Sequence, residues 1–546
     1  MLFHPVLSML FFVSIMLFIK KQSNLFKFVA LASPVVSSIL LILAQGDYSY
    51  ELYNLKLTWT FNDYSKLIGL AFLIILLVSN SYALSQKKYY ELILGCAYGG
   101  SIFISLLAKD FISMFIGLEI MMLMSSIIIF IGDTPKSINA AKQYFLTHLV
   151  SSSMILIGIV HIISKSNSIE MTVVTDLFNN PEYSNTLLYI MFIGMIINIA
   201  AFPFSGWMVN YYKEASASGS LYLINFTTKL SIILLMKIFV GFEILKYVAL
   251  IMILYAGFKV VIEDNIFALL CYLSIISMGI MILAIASGDK SALSAVFYYL
   301  FIHIIYKSLL SIISATLRDK LKITLCSELA RFKNKVLLIS SAIGISLMIN
   351  IPFSLSFYSK IELAQPFSNS FLYIIILFAS ISTMVAIPWK ECIKTSKLIK
   401  LQINFYNKLS LVLISITAIL IGFIWFLIPF SSNFLPIDKA NSYFYEITKQ
   451  FGIFGISAII ILNLKLKRKE GTAFNILEKL GDFFSCLYRY WEKDNKEQLV
   501  QEKWRLDALE EQIINKLSIF HNQQTAIFVV ISLLIIMIST LIFNSY

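Results

Sequence analysis

Apolar runs close to 20 residues long, separated by short polar loops, recur along almost the whole chain. A helix rises about 1.5 Å per residue, so a run of this length crosses the ~30 Å hydrocarbon core of a bilayer. Inside that core the backbone must satisfy its own hydrogen bonds, which such runs achieve as helices. The pattern predicts spans at 5–19, 25–45, 65–84, 90–108, 110–132, 143–164, 186–206, 216–241, 245–264, 266–287, 292–316, 336–356, 369–389, 407–430, 451–464 and 525–543. Some of these are short and some are joined by tight loops. The expectation is an all-α polytopic membrane protein with about 14–16 transmembrane helices. The first run lacks a basic leading region and a small-x-small cleavage signal, so it reads as a retained helix. Residues 465–524 break the pattern with GDFFSCLYRYWEKDNKEQLVQEKWRLDALEEQIINKL. That mixture suits a polar amphipathic connector to the last span, or a helix that docks a partner.

Loop charges add an orientation. Lys and Arg gather after the odd-numbered spans: Lys20 and Lys21, Lys87 and Lys88, Lys136 and Lys142, then Arg318 to Lys335, Lys390 to Lys400 and Lys465 to Lys469. Loops after even-numbered spans, such as Asp47 to Lys56 and Ser431 to Asp438, are poorer in them. Basic loops stay in the cytoplasm, so the N-terminus is expected outside.

Composition changes the picture only by exclusion. Of 546 residues, 59% are hydrophobic and 14% charged, against about 25% charged in soluble domains. The net charge of +12 sits in short loops, so it is a membrane signal and no nucleic-acid partner is expected. Cys96, Cys271, Cys326, Cys392 and Cys486 are far apart in sequence and read as apolar membrane residues, and no metal-ligand spacing occurs. No phosphate-binding glycine loop is present, so neither a nucleotide nor another cofactor is expected.

Ionisable groups at membrane depth are costly, and their default reading is functional. Five stand out. Glu119 lies in FISMFIGLEIMMLMSSIIIFIG and Lys229 in LYLINFTTKLSIILLMKIF. His303 and Lys307 lie four apart in VFYYLFIHIIYKSLLSII, on one helix face. Lys360 follows an interrupted helix. Lys237 and Lys246, nearer a helix end, are expected to snorkel, and His148 in YFLTHLV reads as a packing histidine. An internal echo accompanies these charges: MIINIAAFPFSGW, from Met195 to Trp207, and LMINIPFSLSFYSK, from Leu347 to Lys360, both put Ile-Asn-Ile ahead of Pro-Phe-Ser. Proline removes a backbone donor, and paired interrupted helices point to a transporter built from repeats. Low dielectric disfavours a charged amine and a nearby carboxylate favours it, so a line of Lys, His and Glu across the midplane can pass protons.

Five stretches carry a family resemblance: Asp110 through GLEIMM with AAKQYFLTHLVSSSMILIGI after it, FPFSGWMVNYYKEASASGSLYLINFTTKL, NIFALLCYLSIISMG, FIHIIYKSLL, and IPFSLSFYSK. Together they resemble the antiporter-like subunits shared by Mrp-type multisubunit cation/proton antiporters (subunits A and D) and the proton-pumping membrane arm of respiratory complex I. The resemblance runs over about residues 65–430. It maps Glu119 onto the family's key glutamate, Lys229 onto the lysine of its Thr-Lys pair, His303 and Lys307 onto its H-A-x-x-K pattern, and Lys360 onto its terminal lysine or glutamate. The chain also departs from the pattern. Asn198 stands where the family has its central lysine, five positions before the proline of the first broken helix. Asn265, Ile266, Phe267 and Ala268 replace Asp-Ile-Lys-Arg, and Val209 and Asn210 replace Pro-Asp. Ser216 and Ser218 replace the two prolines of Pro-Thr-Pro.

The resemblance implies two inverted five-helix repeats, at 90–241 and 242–400, with two broken helices. Helices at 1–89 precede them. Further helices at 401–464, the connector at 465–524 and a last helix at 525–546 follow. It implies a D-like subunit of a monovalent cation/proton antiporter complex, translocating protons in exchange for a cation such as Na⁺ through Glu119, Lys229, His303, Lys307 and Lys360. The alternatives are a proton-channel subunit of NADH-quinone oxidoreductase, without its own redox centre, and a non-transporting structural subunit. The expected partners are other integral membrane subunits, and the expected location is a bacterial inner membrane.

Overall fold

The computed structural model describes residues 4–52, 55–328, 331–332, 334–391, 398–399, 401–423 and 446–460. The connector at 465–524 and the candidate span at 525–543 lie outside the described residues.

Helices start where short polar side chains can take up the free N–H groups of a first turn. The chain begins with α1 (Pro5–Phe18) and α2 (Asn24–Leu43), the latter capped by Ser23, which accepts from Phe26 N at 3.1 Å. Two strands follow, β1 (Gly46–Leu52) and β2 (Leu55–Phe61), paired antiparallel. Hydropathy alone predicted no strand here. The alternation in LKLTWTF is the signal that identifies one. Next come α3 (Asp63–Gln86), capped by Asn62, then α4 (Tyr89–Leu107), α5 (Phe111–Phe130) and α6 (Ser137–Ser166). The short α7 (Val174–Leu177) leads to α8 (Asn185–Asn198). A π-turn at Trp207–Tyr211 and a 3-10 turn at Tyr212–Glu214 join α8 to α9 (Gly219–Asn225) and α10 (Thr227–Phe239).

The second half runs through α11 (Ile244–Ile262), α12 (Ile266–Ser287), α13 (Lys290–Leu321), α14 (Lys335–Met348), α15 (Leu355–Ala364), α16 (Phe371–Glu391) and α17 (Phe405–Phe423). Residues 446–460 are helical as well. Asn265 caps α12 by accepting from Ala268 N at 3.0 Å, so the loss of the family's aspartate there keeps the helix start. Among the described residues, ten helices are long and apolar enough to cross a membrane and four shorter ones are similarly apolar. The protein is therefore an integral, multi-pass, all-α membrane protein. The region predicted as one span at 216–241 is two helices, interrupted at Phe226.

Ion pairs and hydrogen bonds sort the loops into two faces. Lys88 pairs with Asp133, and Asn404 reaches Ser85 O at 3.4 Å, which gathers loops after odd-numbered spans on one face. Lys109 pairs with Asp47 at 2.8 Å, which gathers the hairpin and the α4–α5 loop on the other. In the middle, α12 and the α9–α10 segment have 94% of their apolar window buried, whereas α2 and α6 have 39%. The outward side chains of α6, including Leu146, Val150, Ile157 and Val160, are apolar and exposed, as a lipid-facing surface requires.

The two helix breaks share one geometry. Ile199 (φ −82°, ψ 4°) and Ile349 (φ −80°, ψ 4°) end α8 and α14. The next residues, Ala200 (φ 56°) and Asn350 (φ 54°), are left-handed. Ala201 N donates to Ile196 O at 3.2 Å and Ile351 N to Ser346 O at 3.1 Å; Ala200 N donates to Ile197 O and Asn350 N to Leu347 O. These are two Schellman motifs in the same register. Ile199 thus corresponds to Ile349, two positions away from the register in which the Ile-Asn-Ile echo aligns Asn198 with Asn350.

Candidate functional site: buried ionisable side chains on the central helices

Glu119 is set by the start of its helix. Asp110 caps α5 through Ser113 N (2.7 Å) and Ser113 Oγ (2.8 Å), and it also accepts from Thr58 N of the hairpin at 2.7 Å. Glu119 follows eight residues after Phe111, about 12 Å along the axis, near mid-membrane. Two residues before it α5 approaches α4 closely. A Cβ on Gly117 would lie 2.8 Å from Ser101 O, so only glycine allows that contact. The Glu119 side chain is buried (7% exposed), its carboxyl faces the Ser152 hydroxyl of α6, and its Oε1 has no hydrogen-bond partner among the described residues.

Beside it lies the first helix break. Gly194 of α8 brings that helix against the α6 backbone, where Ser151 Oγ donates to Gly194 O at 2.7 Å. One turn further on each helix, His148 Nδ1 meets Asn198 Oδ1 at 2.8 Å. Trp207 Nε1 donates to Ile197 O at 2.9 Å and holds the broken end. A cavity of ≈ 10 Å³, room for about one water, is lined by Tyr144, His148, Ser152, Asn198 and Thr227. Thr227 bonds in turn with Tyr98.

Lys229, His303 and Lys307 are fully buried. Lys229 Nζ donates to Ile224 O at 2.6 Å and Thr228 Oγ1 at 3.2 Å, so it takes up a carbonyl freed where α9 gives way to α10. His303 Nδ1 bonds Tyr306 Oη at 2.8 Å, while its Nε2 and Lys307 Nζ have no hydrogen-bond partner among the described residues. Lys229 and Lys307 lie within electrostatic range of each other, and both act on His303. Lys360, on α15 against α13, donates to Ser380 Oγ at 2.6 Å. With its amide oxygen turned toward Lys360, Asn350 accepts from Nζ at 3.2 Å and donates to Ser356 O at 3.2 Å. The five sequence-predicted side chains are thus all buried on central helices. Lys229, His303 and Lys307 form one cluster, whereas Glu119 and Lys360 lie to either side without bonding it directly.

Two further groups escaped the sequence reading. His148 looked like a packing residue because its partner, Asn198, is 50 residues away. Glu91, in the first turn of α4, was not singled out among the charges at membrane depth. It is 1% exposed, accepts from Ser218 Oγ and leaves Oε1 unpartnered. Ser216 and Ser218, the two positions where the family pattern has prolines, supply the hydroxyls around it.

Comparison with known proteins agrees with this architecture. The family model described as NADH:quinone oxidoreductase/Mrp antiporter, transmembrane, matches residues 108–386, half of the chain. The chain is 22% identical over 402 residues to NADH-quinone oxidoreductase subunit N of Pelagibacter ubique, covering 70% of this chain and 84% of that protein. It is 25% identical over 384 residues to subunit M of Rickettsia prowazekii, covering 64% and 77% respectively. Two solved structures share the fold. A chain of the archaeal membrane-bound sulfane sulfur reductase has a TM-score of 0.67 at 16% identity, covering 82% of this chain and 98% of that one. A chain of the Mrp complex from a Dietzia species has a TM-score of 0.62 at 16% identity, covering 75% and 77%. With the matched region enclosing both helix breaks and all five predicted side chains, the chain belongs to the NADH:quinone oxidoreductase/Mrp antiporter membrane-subunit family.

Proposed function

We propose that this chain translocates protons across a bacterial inner membrane as one subunit of a multi-chain complex, through Glu119, Lys229, His303, Lys307 and Lys360. The observation that carries the reading is the cluster of Lys229, His303 and Lys307, buried on α10 and α13, in which His303 Nε2 and Lys307 Nζ have no hydrogen-bond partner among the described residues. A buried charge without a partner is destabilising, and folds keep such groups where they serve function. Two amines in range of each other couple their protonation: a proton on one raises the energy of a proton on the other. A proton arriving from the Glu119 side therefore favours release toward Lys360, where Ser380 and Asn350 hold the amine.

The assembly is a D-like subunit of a monovalent cation/proton antiporter, exchanging protons for a cation such as Na⁺. The second reading, a proton-channel subunit of NADH-quinone oxidoreductase, is favoured by the names of the curated relatives, subunits N and M. Isolation of the intact complex in mild detergent separates them by the subunits that co-purify. In vesicles holding that complex, Lys307→Ala and Glu119→Ala each abolish proton flux. Flux unchanged in both would mean a structural subunit.

A further inference from the structure

We propose that His148 carries the proton at the first helix break, replacing the family lysine that Asn198 has displaced. The inference rests on the proton-translocation reading and adds a sixth group to it. Its basis is the contact between the ring and Asn198. With the Asn198 amide oxygen facing the ring at 2.8 Å, the oxygen accepts and the ring nitrogen is Nδ1–H. In the neutral ring the lone pair then sits on Nε2. That Nε2 is buried and without a hydrogen-bond partner among the described residues, in a side chain only 4% exposed. A buried base left open in this way costs free energy unless something meets it.

The surroundings supply what a proton carrier needs. His148 and Ser152, one turn apart on α6, both line the ≈ 10 Å³ cavity, and Ser152 faces the Glu119 carboxyl. A single water there has His148, Ser152, Asn198 and Thr227 around it. Tyr144 of its own helix is the titratable side chain packed against the ring, and Tyr212 of the 3-10 turn packs in turn against Tyr144. The rings of Tyr144 and Trp207 lie 4.3 and 4.5 Å from the imidazole by centroid, an aromatic setting that stabilises a cation. In the step itself, protonated Glu119 gives its proton to the Ser152 hydroxyl, which passes its own proton through that water to Nε2. This leaves a carboxylate and an imidazolium, while the Nδ1–H bond to Asn198 stays in place and strengthens. Onward transfer returns the ring to its neutral form.

The test uses the intact complex in vesicles, with subunit incorporation measured alongside proton flux. H148N keeps an amide donor for Asn198 Oδ1 but cannot titrate. It is expected to lower flux about a hundredfold with incorporation unchanged. Adding N198K to H148N restores the family's lysine and is expected to bring flux back to within about threefold of the parent. A purely packing histidine predicts no such rescue. K307A serves as the control for the underlying reading. Loss of flux in K307A with near-parental flux in H148N would overturn the role of His148 and leave the relay standing. Unchanged flux in K307A would instead overturn the relay itself. Where H148N alone fails to assemble, the double variant decides: flux supports the proposal, and assembly without flux refutes it.

Discussion

Two lysines show how the same side chain takes opposite roles. Lys237 donates to Leu106 O at 2.7 Å and Ala108 O at 3.0 Å, so its charge sits on the carbonyl end of α4, where a cation stabilises a helix. Lys307 is buried with Nζ unpartnered. Lys237→Met should therefore destabilise the protein by about 1 kcal/mol and leave flux near parental. Lys307→Met removes an uncompensated charge and should hold or raise the unfolding temperature while flux falls. Thermal unfolding in detergent, read beside vesicle flux, checks both. A Lys307→Met variant that lost stability would mark the amine as structural. The sequence distinguished these lysines only by their distance from a helix end. Bond partners contributed from the end of α4 were needed to tell a capping amine from an open one.

Among the elements, the interrupted helices show what local sequence encodes and what it hides. Proline at 203 and 352 flagged both breaks, because proline cannot continue the ladder. The break points themselves lie earlier, at Ile199 and Ile349, where Schellman hydrogen bonds close the helix. Left-handed backbone favours glycine and tolerates asparagine, so Asn350 suits its position and Ala200 is strained. Ala200→Gly is expected to stabilise the protein by about 1 kcal/mol, measured as a raised unfolding midpoint. No gain would mean that the surrounding helices already offset the strain. The Phe226 interruption carried no proline or glycine signal and was missed. It becomes visible only through Lys229 Nζ taking up the Ile224 carbonyl. The hairpin was missed for a different reason. Its seven-residue strands are too short for a spanning pattern, and its role, clamping Asp110 through Thr58, is a contact across 52 residues.

Across the whole molecule, basic loops on one face and the hairpin on the other give a testable orientation. With positive loops inside, a cysteine at Ser49 in the hairpin should react with an impermeant thiol reagent added outside intact cells. A cysteine at Asp133, beside Lys88, should react only after the membrane is opened. The reverse labelling would invert the orientation and the direction assigned to the relay. The burial gradient also belongs to this scale. The central α9–α10, α12 and α13 are enclosed by protein, whereas α2 and α6 meet lipid. That places Lys229, His303 and Lys307 where neighbouring helices, and not hydrocarbon, surround them.

The sequence by itself determined the medium and the class. Period, length and loop charge follow from the thickness and dielectric of a bilayer, and they act on each segment separately. It also determined which side chains were too costly to be incidental, since an ionisable group in hydrocarbon is expensive wherever it lies. Tertiary structure alone decided which of those groups share a cluster, that Glu91 is buried, and that the lysine missing at Asn198 faces an imidazole. Those are contacts between segments dozens of residues apart. Helix crossings fix them, at close approaches such as Gly194 of α8 against α6 and Gly117 of α5 against α4, and no local pattern records where two helices will meet.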